Sequence, residues 1–165
     1  MNYINIFMRS KIQHYNEKRY WKFRGKIVNP EITIPKILKY IMLFYIKRCD
    51  AFNNASLGTE INCGAKFGNI LKFPHGLYGI IISKNTKLGY NCTIFHQVTI
   101  GQGKNGAPTI GNNCYIGAGA KIVGDITIGD NVNIGANCIV VEDIPDNSTV
   151  VMNKPRVIIK KDERR

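Results

Sequence analysis

Residues 110–139 read IGNNCY IGAGAK IVGDIT IGDNVN IGANCI, five six-residue units that each begin with isoleucine. The phase extends backward through Leu88, Ile94 and Ile100 and forward to Val140. A period of six is neither the 3.6 of a helix nor the two-residue alternation of a strand. It predicts a hexapeptide β-solenoid, in which three short strands make one coil and the recurring aliphatics stack as its core. The phase breaks between Ile100 and Ile110, where four residues exceed the period. The stretch from Gly101 to Pro108 is rich in Gly and ends in Pro, so it is predicted to leave the ladder as a loop. Inserts in solenoids gather on one face, often the binding face.

The cysteines fit this pattern. Cys92, Cys114 and Cys138 each stand two residues before a repeat-defining aliphatic, a phase also occupied by Thr86, Val98 and Ala120. A tight coil leaves room there only for small side chains, so these cysteines are expected to be core fillers. No His/Cys spacing suits a metal cluster, and no metal is expected.

The chain has 165 residues and a net charge of +12, unevenly placed. Residues 1–50 hold 11 Lys/Arg against 3 Asp/Glu, residues 51–150 hold 6 of each, and residues 151–165 hold 6 against 2. A neutral middle with basic ends suits contact with an acidic surface or a phosphorylated cofactor. No recognition motif accompanies the charge, so nucleic-acid binding is not expected. No signal peptide is evident, and the longest apolar run, Tyr40 to Ile46, is far below the roughly 18 residues that span a bilayer. A cytoplasmic location is the expectation, at the inner membrane face if the N-terminal segment touches lipid.

Three regions follow. Residues 1–56 are basic, aromatic and partly helical; 35–52 read as one helix that starts at Pro35 and either docks on the solenoid or lies at a membrane surface. Residues 57–150 form the solenoid, and residues 151–165 form a capping tail. The candidate base is His75, between Pro74 and Gly76 in an irregular coil. A neutral imidazole takes a proton from a hydroxyl when a partner fixes its tautomer. Glu60, fifteen residues earlier, is close to one coil away, and stacked coils would pair the two. His96 precedes the insert and is expected to face the same cleft. The Gly101-Gln102 backbone is a candidate oxyanion donor.

Glu60-Ile61, Gly64 to Gly68, His75, Gly79 to Ile82, Val98 to Gly101 and Ile116 to Ile122 resemble serine acetyltransferase. They look still more like the short O-acetyltransferases of capsule and exopolysaccharide synthesis. The likeness covers about residues 57–160. It implies a left-handed parallel β-helix, a homotrimer (or a dimer of trimers) with sites between subunits, and acetyl-CoA as donor. It implies His75 as catalytic base and Glu60 as its carboxylate partner. It further implies CoA contacts at Ala118, Ala136, Lys154 and Arg156, and backbone amides of Gly101 and Gln102 near the thioester. Where serine acetyltransferase has an aspartate before the histidine, an Arg-His pair in the loop and a glutamate beyond, this chain has Pro74, Gly106-Ala107 and Lys84. These differences favour a saccharide hydroxyl as acceptor. The alternatives are serine O-acetylation in cysteine biosynthesis and a non-catalytic trimeric scaffold.

Overall fold

The computed structural model describes residues 14–68, 71–154, 156 and 158. From the first coil onward the chain is a left-handed parallel β-helix of about five turns. Three four-stranded parallel sheets make its faces. The first holds β4 (Ile81–Ile82), β7 (Thr99–Gly101), β10 (Lys121–Val123) and β13 (Ile139–Val140). The second holds β3 (Lys66–Phe67), β5 (Lys87–Leu88), β8 (Thr109–Ile110) and β11 (Thr127–Ile128). The third holds β6 (Thr93–Ile94), β9 (Tyr115–Ile116), β12 (Asn133–Ile134) and β14 (Thr149–Val150). A small antiparallel hairpin of β1 (Thr59–Glu60) and β2 (Cys63–Gly64) precedes them.

The register explains the period. Thr109 pairs with Thr127, Tyr115 with Asn133 and Lys121 with Ile139, so one coil is 18 residues, or three hexapeptides. Within each strand one aliphatic points inward. Leu88, Ile94, Ile100, Ile110, Ile116, Ile122, Ile128, Ile134 and Val140 are all buried. Each such burial contributes about 1.5–3 kcal/mol, and the ladder of backbone hydrogen bonds holds the layers about 4.8 Å apart. Cys92, Cys114 and Cys138 are buried and free, as small inward fillers should be.

The prism has three edges. The third edge, between the second and third sheets, turns through residues of positive φ, chiefly Asn91, Asn113, Asn131 and Asn147. Asparagine tolerates this left-handed backbone, and its side chain can bond its neighbour above. The amides form a continuous ladder: Asn91 donates to Asn113 (2.9 Å), Asn113 to Asn131 (3.1 Å) and Asn131 to Asn147 (3.0 Å). Lys72 Nζ closes its lower end on Asn91 Oδ1 (2.6 Å).

Two helices cap the first coil, α1 (Glu17–Val28) and α2 (Lys36–Phe52). The second lies close to its expected span; the first was obscured in the sequence by its mixture of aromatics, cations and Gly25. Asn16 caps α1 by accepting from the Arg19 N–H (3.0 Å). The cap is fixed by a buried arginine. Arg24 donates to Thr59 Oγ1 (3.1 Å), Leu57 O (3.2 Å) and Ala65 O (2.7 Å), and its guanidinium lies 4.2 Å from the Phe67 ring centroid. Burial lowers the Arg24 pKa to about 10. Tyr20 Oη donates to Asp50 Oδ1 (2.7 Å), joining α1 to α2. Burial raises the Asp50 carboxyl to about 6, against the smaller opposing effect of that hydrogen bond. The outer side of α2 exposes Ile37, Tyr40, Ile41 and Phe44. Among the described residues no helix is long and apolar enough to cross a membrane. The expected capping tail lies partly outside the described residues; Lys154 and Arg156 are exposed.

Candidate active site

The first edge of the prism runs between the third and first sheets. Lys72 pairs with Thr93, Thr93 with Tyr115, and Tyr115 with Asn133. Three residues beyond each of these stand His75, His96, Ala118 and Ala136. These four positions therefore climb one edge, layer by layer. Backbone bonds fix the upper part: Gly119 N–H donates to His96 O (3.0 Å) and Asn137 N–H to Ala118 O (2.8 Å). Gly119 has φ +73°, a conformation glycine adopts without steric cost.

His75 occupies an enlarged corner. Nine positions separate Lys72 from Ile81, whereas six separate their partners Thr93 and Thr99. The three extra residues form a turn with positive φ at Gly76 and Gly79. The turn is pinned by the Gly79 N–H on Asn53 O (2.8 Å) and by the Gln97 N–H on Tyr78 O (2.9 Å). This carries the His75 ring out to the surface, where it meets His96. The two Nδ1 atoms are 2.9 Å apart, the ring centroids 4.9 Å. Phe95 lies edge-on to His75 at 5.3 Å and touches Tyr115 at 4.9 Å, giving the pair an aromatic wall.

An Nδ1-to-Nδ1 hydrogen bond holds one proton, so the two rings take different tautomers. The donor ring carries its proton on Nδ1 and leaves a lone pair on Nε2. The acceptor ring, when neutral, carries its proton on Nε2. His75 is exposed and His96 half-buried. When His75 is the donor ring, its exposed position leaves Nε2 open to an acceptor, with His96 behind it.

The Glu60–His75 pairing expected from the fifteen-residue spacing does not form within the chain. Glu60 belongs to the β1–β2 hairpin, and its carboxylate pairs with Lys84 Nζ (3.1 Å). Lys84 follows β4 whereas His75 precedes it, so the two groups sit at opposite ends of the first sheet. The spacing misled because the hairpin between them turns back on itself, and fifteen residues are not one coil. Both side chains of the ion pair are about half exposed.

The second edge, between the first and second sheets, gathers the remaining candidates. Gly101 is inside β7, in register with Val123, and its carbonyl accepts from Gly124 N–H (3.2 Å). It belongs to the ladder, which does not favour it as an oxyanion donor. Gln102 opens the inserted loop, with its Oε1 accepting from Asn85 Nδ2 (2.7 Å). The loop closes on itself by Gly103 N–H to Gly106 O (2.8 Å). A Cβ on Gly106 would run into Asp125, so the loop lies tight against the next coil. The expectation that the loop covers the histidines fails within one chain: the first sheet separates them. Among the described residues no group of three or more His, Cys, Asp or Glu could hold a metal.

Known proteins resemble this chain in sequence and in fold. Residues 107–141 match the family model of the bacterial transferase hexapeptide (six repeats). The matched stretch runs through the regular coils, and its six-residue period is similar to that family's repeat. Over 108 residues the chain is 45% identical to a serine acetyltransferase of Helicobacter pylori, covering 62% of each protein. Over 132 residues it is 42% identical to the serine acetyltransferase of Staphylococcus xylosus, covering 77% of this chain and 58% of that one. The chain thus spans less than two thirds of these curated relatives. Serine acetyltransferase isoform 3 of Entamoeba histolytica, solved with cysteine, aligns with a TM-score of 0.63 at 30% identity, covering 76% of this chain and 46% of that one. A serine acetyltransferase solved with CoA aligns at 0.57 and 29% identity, covering 67% and 44%.

These relatives correct the acceptor expected from the sequence. Pro74, Gly106-Ala107 and Lys84 pointed to a saccharide, yet the matched relatives and structures are serine acetyltransferases. Within the chain, Lys84 pairs with Glu60, and Gly106 packs against Asp125 of the next coil.

Proposed function

We propose that this chain is an acetyl-CoA-dependent serine O-acetyltransferase that works as a homotrimer. The observation that carries the reading is the His75–His96 pair at the foot of the edge that bears Ala118 and Ala136. The relatives' names supply serine as acceptor, and the CoA-bound neighbour supplies the donor.

In this mechanism His75 Nε2 takes the proton of the serine hydroxyl while its Nδ1–H stays bonded to His96. The alkoxide oxygen attacks the thioester carbon. The tetrahedral intermediate collapses, the C–S bond breaks, and the imidazolium returns its proton to the CoA thiolate. His96 here fills the orienting role that a carboxylate fills in other bases. The pantetheine arm would rise along the first edge past Ala118 and Ala136, where small side chains leave room; two layers span about 10 Å. Lys154 and Arg156 follow the last coil at the same edge and would meet the CoA phosphates. The second edge of a neighbouring copy would bring its loop, with Gln102, and its Glu60 to the histidines, which explains why one chain separates them. Acetyl-CoA and serine are both cytoplasmic metabolites, and a cytoplasmic location belongs to the same proposal.

The test is turnover. Purified protein with acetyl-CoA and L-serine should release CoA and form O-acetylserine, read by mass spectrometry. Absence of serine turnover by a folded protein that binds acetyl-CoA would reject the reading.

A further inference from the structure

Beneath the first turn of α2 lies a cavity of about 310 Å³, away from the histidine pair and bordered by the Ile61-Asn62 turn of the β1–β2 hairpin. Lys39 faces it and is only 7% exposed. Its Nζ donates to Asn62 Oδ1 at 2.7 Å, a neutral acceptor. The ion pair among the described residues is Lys84 with Glu60, so no described carboxylate answers the Lys39 charge. An ammonium facing a cavity with no carboxylate beside it offers an anion an unopposed charge.

The surroundings carry the same sign. Lys36 also lines the cavity, and α2 begins there with no side-chain cap and no acidic residue in its first turn. That end of a 17-residue helix presents partial positive charge. The nearest acid in sequence, Glu31, is exposed and not among the lining residues. Asn62 is held rigidly: it has φ +60°, and its N–H donates to Ile27 O (2.8 Å) in the last turn of α1. With Oδ1 engaged by Lys39, its Nδ2 has donors to offer. The remaining wall is apolar, chiefly Ile32, Tyr40 and Ile61.

We propose that this cavity binds a small oxyanion, a carboxylate or a phosphate monoester, whose apolar substituent covers that wall. Lys39, Lys36 and Asn62 are its ligands. The volume lies at the lower end of small-molecule pockets. The same chemistry has two sources. One is a free metabolite; the other is an anionic lipid headgroup, since Tyr40 also belongs to the exposed stripe with Ile37, Ile41 and Phe44.

The test uses the full chain and reads binding, so it is independent of the acyl-transfer reading. Inorganic phosphate and butyrate are titrated separately at constant ionic strength, with melting temperature and the Asn62 side-chain amide resonance as readouts. The wild type should show a saturable rise and a saturable amide shift. Lys39→Met should weaken the apparent affinity about tenfold or more, the size expected for a charge-assisted bond. Lys36→Met, at an exposed position, should weaken it less and serves if Lys39→Met does not fold. Lys87→Met on the second sheet should change nothing. Flotation with phosphatidylglycerol vesicles separates the sources: binding that phosphate displaces assigns a lipid headgroup, and no vesicle binding with the phosphate response intact assigns a soluble anion. No saturable response to phosphate, butyrate or vesicles would overturn the proposal. So would an equal response in wild type and the lysine variants.

Discussion

The first and second edges of the prism are built from the same repeat and do different work. The first carries a three-residue enlargement that exposes His75 to His96 and then continues upward through alanines. The second carries the four-residue insert, Gln102 and the Glu60–Lys84 pair. In one chain the two edges are held apart by the first sheet. A solenoid cannot fold one edge onto another, because its faces are rigid ladders. Chemistry that needs both must bring them from two copies.

Breaking the first edge should have the largest effect. His75→Ala is expected to lower CoA release about 10²- to 10⁴-fold with folding intact by circular dichroism. His96→Ala should cost less, about 10-fold to 100-fold in kcat with KM little changed, because the His75 ring is no longer oriented. An unchanged kcat would remove His96 from the orienting role.

A second change checks that the edges are independent of the helical cap. Asp50 has a folded pKa of about 6, raised by burial above the 3.8 of a free carboxyl. The folded state therefore binds more protons than the unfolded between pH 4 and 6, and stability should fall as pH rises through that window, by about 2–3 kcal/mol. Asp50→Asn should flatten this slope in denaturant melts, while the rate of CoA release stays put. An unchanged slope would show that Asp50 titrates normally.

Mixing sharpens the comparison itself. Subunits with His75→Ala and subunits lacking residues 103–106 should each be inactive, yet co-refolded together they should regain activity at about a quarter of their interfaces. No recovery would place loop and histidines in separate functions. The smallest effect belongs to the ion pair. Glu60→Gln should change stability by less than about 1 kcal/mol, since both partners are about half exposed. A larger loss of melting temperature would reveal a structural role for the hairpin.

The fold was legible because every sixth residue reports burial, from Leu88 to Ile100 before the insert and from Ile110 to Val140 after it. The α2 helix was legible from its apolar periodicity, whereas α1 was not, because its buried face includes Arg24, whose partners are backbone carbonyls 33 and 41 residues away. The exposed position of His75 was legible from the irregular coil around it. Its true neighbour was not, because counting residues treats the chain as uniform coil. The β1–β2 hairpin took Glu60 away, and the enlarged corner delivered His96 instead. The loop was located correctly along the chain but assigned to the wrong edge, since a linear phase does not say which of three corners an insert leaves from.

The last coil is also shorter than the rest. Asn133 pairs with Thr149 and Ile128 with Ile144, a step of 16 residues instead of 18. In the second sheet that turn contributes a single bridge at Ile144, followed at once by Pro145, which has no N–H to offer. A full-length final turn would be a template on which another molecule's first turn could be laid, and repetition would grow a fibre. By tapering and then placing proline on that face, the chain ends its own pattern before it can be copied onward, so a sequence made of repeats stays a particle of finite length.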